Sequence, residues 1–394
     1  MPERPRRRRR PALTLALGLL VLAGATEAVL RWTASRPRGT RTHTADPVLH
    51  HRLRADVRTE VRGVPFETNT QGLRDREYPP GKPAGVFRIL MLGDSFTEGG
   101  GLRLEETAPK RLEALLGARG CPRPVEVVNA GVASYSPILH YVYLRERGLA
   151  LAPDLILLAF DMTDVHDDFV RTAVARLDPR GLPVAVPSDT RRETALLLPP
   201  LGKPAALGFL DPLEGAANQL ALWQAARRST LGQRILGPLA RTPERLEALG
   251  LVGNIQYDVE AITRDEESPT VQRAWALTER YLTGMRDLAR ARGLGFVLVL
   301  YPHPHQVSAT ASAEGRRRFG LRPGLYASER PLQILQALGR REGFPVITLL
   351  HHFRRHAAEG ALFWQDDIHQ TPLGARVFAD GIGGGLLERG LVPC

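Results

Sequence analysis

Three stretches of this 394-residue chain carry side chains that could do chemistry. The first is Gly93-Asp94-Ser95-Phe96-Thr97, directly after the apolar run Val86 to Leu92. A serine at a strand-to-helix turn has an exposed hydroxyl, and a helix start behind it favours developing negative charge. The second is Asn129-Ala130-Gly131, which ends another apolar run, Val125 to Val128. The third lies near the C-terminus, in Trp364-Gln365-Asp366-Asp367-Ile368-His369-Gln370-Thr371-Pro372-Leu373-Gly374. A serine hydroxyl is a weak nucleophile until a base takes its proton, and an imidazole acts as that base when a carboxylate holds its other nitrogen. Asp366 and His369, three residues apart in a turn, can lie side by side. Asp367 competes for the same role, and spacing only tilts the choice towards Asp366. Taken singly, each stretch also has a plain structural reading, as a turn, a strand end or a polar loop. The serine turn is not the Gly-x-Ser-x-Gly elbow of the α/β-hydrolases.

The elements that must position these groups are legible in the apolar pattern. Val86–Leu92, Val125–Val128, Asp154–Phe160, Gly295–Tyr301 and Phe344–Leu349 read as five strands, each a solid apolar run. Helices are expected at Thr107–Leu116, around Ile138, Tyr141 and Val142, at Val271–Arg292 and at Pro331–Arg341. Strands buried on both faces and alternating with helices predict an α/β protein with a parallel sheet, whose active site lies beyond the carboxyl ends of the strands. Residues 36–85, rich in Arg, Thr and Pro, read as a linker and an irregular lead-in. Residues 86–170 and 271–394 read as two parts of one domain, and 171–270 as an insertion that could cap the site.

Taken in order, a strand-end Gly-Asp-Ser, an Asn-x-Gly after the second strand, a polar residue after the third and a late Asp-x-x-His resemble the motifs of the SGNH (GDSL) hydrolase superfamily. The resemblance runs from about Val86 to the C-terminus, the insertion excepted. It is strongest to bacterial membrane-anchored members, which carry a similar Asn-x-x-Gly-x-Arg, here Asn69, Gly72 and Arg74. It implies a three-layer flavodoxin-like fold on a five-stranded parallel sheet, with Ser95 as nucleophile, His369 as base, Asp366 as orienter and no cofactor. It also implies an oxyanion hole from the backbone N–H groups of Ser95 and Gly131 plus one side-chain donor. The superfamily's third block usually offers Asn, and aligning Phe160 to Val165 places Thr163 there. A threonine hydroxyl reaches less far than a carboxamide, and losing such a donor costs about a hundred- to thousandfold in rate.

Three functions are compatible with these residues: an esterase cleaving O-acyl, above all acetyl, esters through an acyl-enzyme; a transferase passing the acyl group to an envelope glycan; and an inactive glycan binder. The partner is accordingly an acylated small molecule, glycan or lipid. Asp94, Asn129 and His303 are candidate substrate contacts, His303 and His305 standing just past the fourth strand. A metal site combining these with His351, His352 or Asp164 lacks ligand spacing, so no metal is expected. Asp161, Asp164, Asp167 and Asp168 crowd one loop, either repelling acidic substrates or simply solvated.

Composition bounds the rest. Hydrophobic content of 43% and charged content of 24% are those of a globular protein. The net charge of +11 resembles a nucleic-acid signal, but Arg4 and Arg6 to Arg10 crowd the first ten residues, and no basic stripe or DNA-binding motif follows. That cluster precedes Pro11 to Leu30, an apolar stretch about one bilayer span long. Residues 1–35 therefore read as a cytoplasmic stub with a transmembrane anchor, or alternatively a cleaved signal ending near Ala23-Gly24-Ala25. Either sends the remaining chain outward. Cys121 and Cys394 could form one bridge there.

Overall fold

The computed structural model describes residues 22, 25, 26, 42–79, 81–188, 269–318 and 328–394. Of the apolar stretch 11–30 only Leu22, Ala25 and Thr26 lie among them, and 189–268 of the expected cap lies outside. Among the described residues no helix is long and apolar enough to cross a membrane.

The lead-in is ordered rather than irregular. Strands β1 (His43–Asp46) and β2 (His50–Leu53) form one antiparallel hairpin, and β3 (Arg58–Val61) and β4 (Val64–Glu67) form a second. The second turns on Arg62-Gly63, with φ of 54° and 74°. Two successive positive φ values match the twist of paired strands, which is why such turns close hairpins. Leu53, Val57 and Phe66 are buried, so the expected linker has its own small core. The Asn69-x-x-Gly72-x-Arg74 motif then makes structural sense. Asn69 Oδ1 accepts the N–H groups of Gln71 (3.0 Å) and Leu73 (2.8 Å), and Gly72 turns at φ +74° against the Leu53 carbonyl. Arg74, 1% exposed, is thereby delivered to the turn that follows the short helix Ser95–Glu98.

The main domain alternates as expected. Strand β5 (Phe87–Gly93) runs into a one-turn helix α1 (Ser95–Glu98), followed by α2 (Ala108–Gly117), β6 (Val125–Gly131), α3 (Pro137–Glu146), β7 (Leu155–Phe160) and α4 (Thr163–Thr172). A small antiparallel pair, β8 (Arg176–Leu177) and β9 (Pro183–Ala185), comes next. Helix α5 (Pro269–Arg290) leads to β10 (Gly295–Leu300) and the short helices α6 (Pro304–Val307) and α7 (Ala313–Arg318). Then come α8 (Arg330–Glu342), β11 (Val346–Thr348), α9 (Leu350–His356) and α10 (Pro372–Glu388). The sheet is wholly parallel in the order β6-β5-β7-β10-β11, the doubly wound order of a flavodoxin-like fold.

Alternate residues of each strand feed opposite cores, so the solid apolar runs are explained by burial on two sides. Leu90, Leu92, Ile156, Leu158, Leu298 and Leu300 pack with α3, α5 and α8. Ile89, Met91, Leu155, Leu157, Val297 and Val299 pack with α2, α9 and α10. The layers are three, as the fold expectation required. Helix α10 had no signal in the sequence, because Gly381 and Gly383 to Gly385 oppose helix formation. Burial of Val377, Phe378, Ile382 and Leu386 against the sheet overrides that propensity. Cys121 and Cys394, 273 residues apart, are joined in a disulfide that pins the C-terminus beside the loop after α2.

Candidate active site

Ser95 is the first residue of α1, at the carboxyl end of strand β5. The Asp94 carboxylate caps the turn by accepting the Phe96 N–H at 2.9 Å. Its helix continues only to Glu98, and Arg74 reaches beneath it to donate to the carbonyls of Glu98 (2.8 Å), Gly99 and Leu102. The Glu98 carbonyl is one that a helix end leaves without a partner, and the other two belong to the turn that follows. Burial lowers the Arg74 guanidinium to about 10, yet it remains charged at neutral pH.

His369 arrives from the other end of the chain. Phe363 and Gln370 form an antiparallel bridge, and the Trp364 N–H donates to the His369 carbonyl at 2.9 Å, so residues 363–370 make a closed loop. His369 Nε2 stands 2.7 Å from Ser95 Oγ. Its Nδ1 stands 2.6 Å from Asp367 Oδ1. An ionised carboxylate can only accept, so Nδ1 carries the ring proton and Nε2 is left to accept from the serine hydroxyl. Burial pushes the Asp367 carboxyl up, but the hydrogen bond and charge of His369, with Arg62 further off, outweigh it and hold the group below the usual range.

The carboxylate that faces His369 is therefore Asp367, where the sequence favoured Asp366. The chain turns and bends through residues 365–369, and there Asp367 Oδ1 faces both the His369 ring and, at 3.4 Å, its backbone N–H. Asp366 is 57% exposed and pairs with Arg62 at 2.6 Å.

Of the three expected oxyanion donors, two have their donor groups engaged elsewhere. The Ser95 N–H opens a helix and has no intrahelical acceptor. Gly131, at the matching end of β6, packs against α1, and its N–H lies 3.1 Å from Asn129 Oδ1. Thr163 is turned away: its hydroxyl donates to Asp161 Oδ1 at 2.5 Å, and its N–H to the same oxygen at 2.6 Å. That hydroxyl is committed to closing the turn into α4, so Thr163 is not the side-chain donor the alignment suggested.

Hydroxyl, imidazole and carboxylate stand in line at the carboxyl edge of a parallel sheet. This is the arrangement that the SGNH resemblance implies. No family model and no curated protein sequence matches the chain. Solved structures similar to it include an alpha/beta hydrolase enzyme from the metagenome of Lake Arreo, Spain, 14% identical, with a TM-score of 0.37 over 76% of this chain and 94% of that one. A lipase/acylhydrolase from Enterococcus faecalis is 13% identical, with a TM-score of 0.39 over 77% and 96%. A catalytic mutant of an acetylxylan esterase from Geobacillus stearothermophilus is 10% identical, with a TM-score of 0.39 over 76% and 94%.

The expected substrate contacts of the SGNH-like site are corrected by burial. Asn129 is fully buried, with its N–H donating to Asp75 Oδ2 at 2.8 Å. Asp94 is 8% exposed and serves as the cap of α1. His303, 1% exposed, has Nε2 2.8 Å from Asp161 Oδ2. None of the three side chains has the access a substrate contact needs. The acidic loop expected here is helix α4 from Thr163 on, packed against α5, and it is not solvated, since Asp161, Asp164 and Asp168 are all buried. Burial pushes Asp161 up, but the charge and hydrogen bond of His303 win and hold it ionised; burial opposes a charged His303, and Asp161 outweighs that too. Tyr301 Oη lies 2.7 Å from Asp94 Oδ1 and 3.0 Å from Asp161 Oδ2. Burial, then the Asp161 charge, push the Asp94 carboxyl upwards. Among the described residues no cluster of side chains suits a metal ion.

Sequence reasoning missed Arg62 and Glu98. Glu98 Oε2 accepts the Ala133 N–H at 2.7 Å and lies 3.1 Å from His43 Nε2, tying the first hairpin to α1. The Arg-Gly step between two short alternating runs was a hairpin signal, obscured by the surrounding Pro and Arg.

Proposed function

We propose that the protein is a serine esterase that cleaves O-acyl esters through an acyl-enzyme. The observation that carries this reading is the Ser95–His369–Asp367 chain of hydrogen bonds, 2.7 and 2.6 Å long. In this mechanism Ser95 Oγ attacks the ester carbonyl while His369 Nε2 takes its proton. The charge on the carbonyl oxygen meets the Ser95 N–H group, and Asp367 steadies the imidazolium that forms. His369 then passes the proton to the departing alcohol, and water, activated by the same ring, releases the acid. Acetyl esters of glycans are the substrates we favour. A site assembled to hydrogen-bonding distance weighs against the inactive glycan binder.

We place the catalytic domain outside the cytoplasm, held by residues 11–30 or released after their removal. The Arg-rich start supports that side of the membrane. So does the Cys121–Cys394 disulfide, a bond that persists in oxidising compartments. Release of p-nitrophenol from p-nitrophenyl acetate by the wild type and by Ser95→Ala tests the activity. Equal rates in the two proteins would refute it.

A further inference from the structure

The tip of the β3–β4 hairpin reaches the catalytic loop across about three hundred positions of sequence. Arg62 Nη2 lies 2.6 and 2.8 Å from the two carboxylate oxygens of Asp366, and Nη1 lies 3.2 Å from Asp367 Oδ2. The remaining oxygen of Asp367, Oδ1, is the one that meets His369. One guanidinium thus occupies every carboxylate oxygen of the pair except the one the imidazole uses. Its plane also lies over the Trp364 ring, 5.3 Å from the centroid, in the same loop. The approach depends on Gly101: a Cβ there would stand 2.7 Å from Arg62 Cδ.

From this geometry we propose that Arg62 is a positioning residue, holding the Asp366–His369 turn so that Asp367 presents Oδ1 to His369. The proposal rests on the serine-esterase reading. Without the guanidinium two adjacent carboxylates repel each other, and Asp367 is free to rotate about its side-chain bonds. Arginine suits the task because its rigid fork spans two acceptors, which a lysine ammonium does not. An exposed ion pair adds little to stability, so variants at this position should fold.

The test uses the full chain and the variants Arg62→Ala and Arg62→Lys, with two readouts. The first is kcat and KM for p-nitrophenyl acetate. The second is the far-downfield proton resonance of His369 Nδ1–H, assigned by its loss in Asp367→Asn. The expected result for Arg62→Ala is a fall in kcat of about ten- to a hundredfold, as for small misplacements of reacting groups, with KM unchanged and the resonance broadened. Arg62→Lys should recover part of both. A resonance in Arg62→Ala as sharp as in the wild type would overturn the proposal, whether kcat holds or KM rises. If wild type and Ser95→Ala turn over equally, the esterase reading fails by itself, and the resonance still decides the role of Arg62.

Discussion

Two carboxylate–imidazole pairs press against the same ring. The Phe96 centroid lies 4.9 Å from that of His369 and 5.5 Å from that of His303. Their hydrogen bonds are alike, 2.6 Å in Asp367–His369 and 2.8 Å in Asp161–His303. What separates them is access to water. The first pair is 17% and 27% exposed and sits on a loop; the second is 1% exposed at both members and joins the ends of β7 and β10. An imidazole must reach a substrate proton to act as a base, so only the first can do acyl chemistry. The second is enclosed, where an ion pair ties two strand ends together and holds Tyr301 and Asp94 beside Ser95. Side-chain chemistry alone does not identify a catalytic dyad; exposure and the third partner do.

The comparison breaks most sharply at the carboxylates. Asp367→Asn should cut kcat by about a hundred- to ten-thousandfold, since the amide favours the wrong imidazole tautomer. Asp366→Asn should stay within about threefold, as for an exposed ion-pair partner. Steady-state hydrolysis of p-nitrophenyl acetate checks both, and the opposite ranking would return the orienting role to Asp366.

At the buried pair the expected loss is in stability. His303→Ala leaves Asp161 charged without its main partner, at a cost of about 3–5 kcal/mol. Urea unfolding should show it, while the rate per folded molecule stays within about tenfold because no reacting group is removed. A variant as stable as the wild type would show that the second pair is not structural.

A gentler probe is Asp168, buried between α4 and α5, where it accepts from the Ile138 N–H at 2.8 Å and the Thr278 hydroxyl at 2.8 Å. Burial raises its carboxyl from 3.8 to about 7. Its protonated form is the one the fold favours, so the stability it contributes is complete below 3.8 and is lost as pH climbs through about 7. Asp168→Asn should therefore lose less Tm than the wild type between those two limits, measured by thermal unfolding across the range. Parallel curves would place the titration elsewhere.

The smallest change is expected at Thr163. With its hydroxyl bonded to Asp161, Thr163→Ala should alter kcat by less than about threefold, whereas removal of an oxyanion donor would cost about a hundredfold or more. A loss of that larger size would restore Thr163 to the oxyanion hole.

Residue order by itself determined the five strands and four of the helices, and it marked Ser95 and His369 as candidate partners. Strands buried on both faces must be continuously apolar, and a parallel sheet brings its strand ends to one edge whatever lies between them in sequence. Which acid faces His369 was decided only in three dimensions, because it depends on the course of the 363–370 loop, and two adjacent aspartates look alike in one dimension. Tertiary structure likewise enclosed His303 and Asn129 and turned the Thr163 hydroxyl inward, since burial depends on neighbours distant in the chain. The hairpins of residues 43–67 and helix α10 escaped notice for the same reason. Their local propensities are weak, and packing against the sheet and its catalytic edge supplies the stability that those propensities lack.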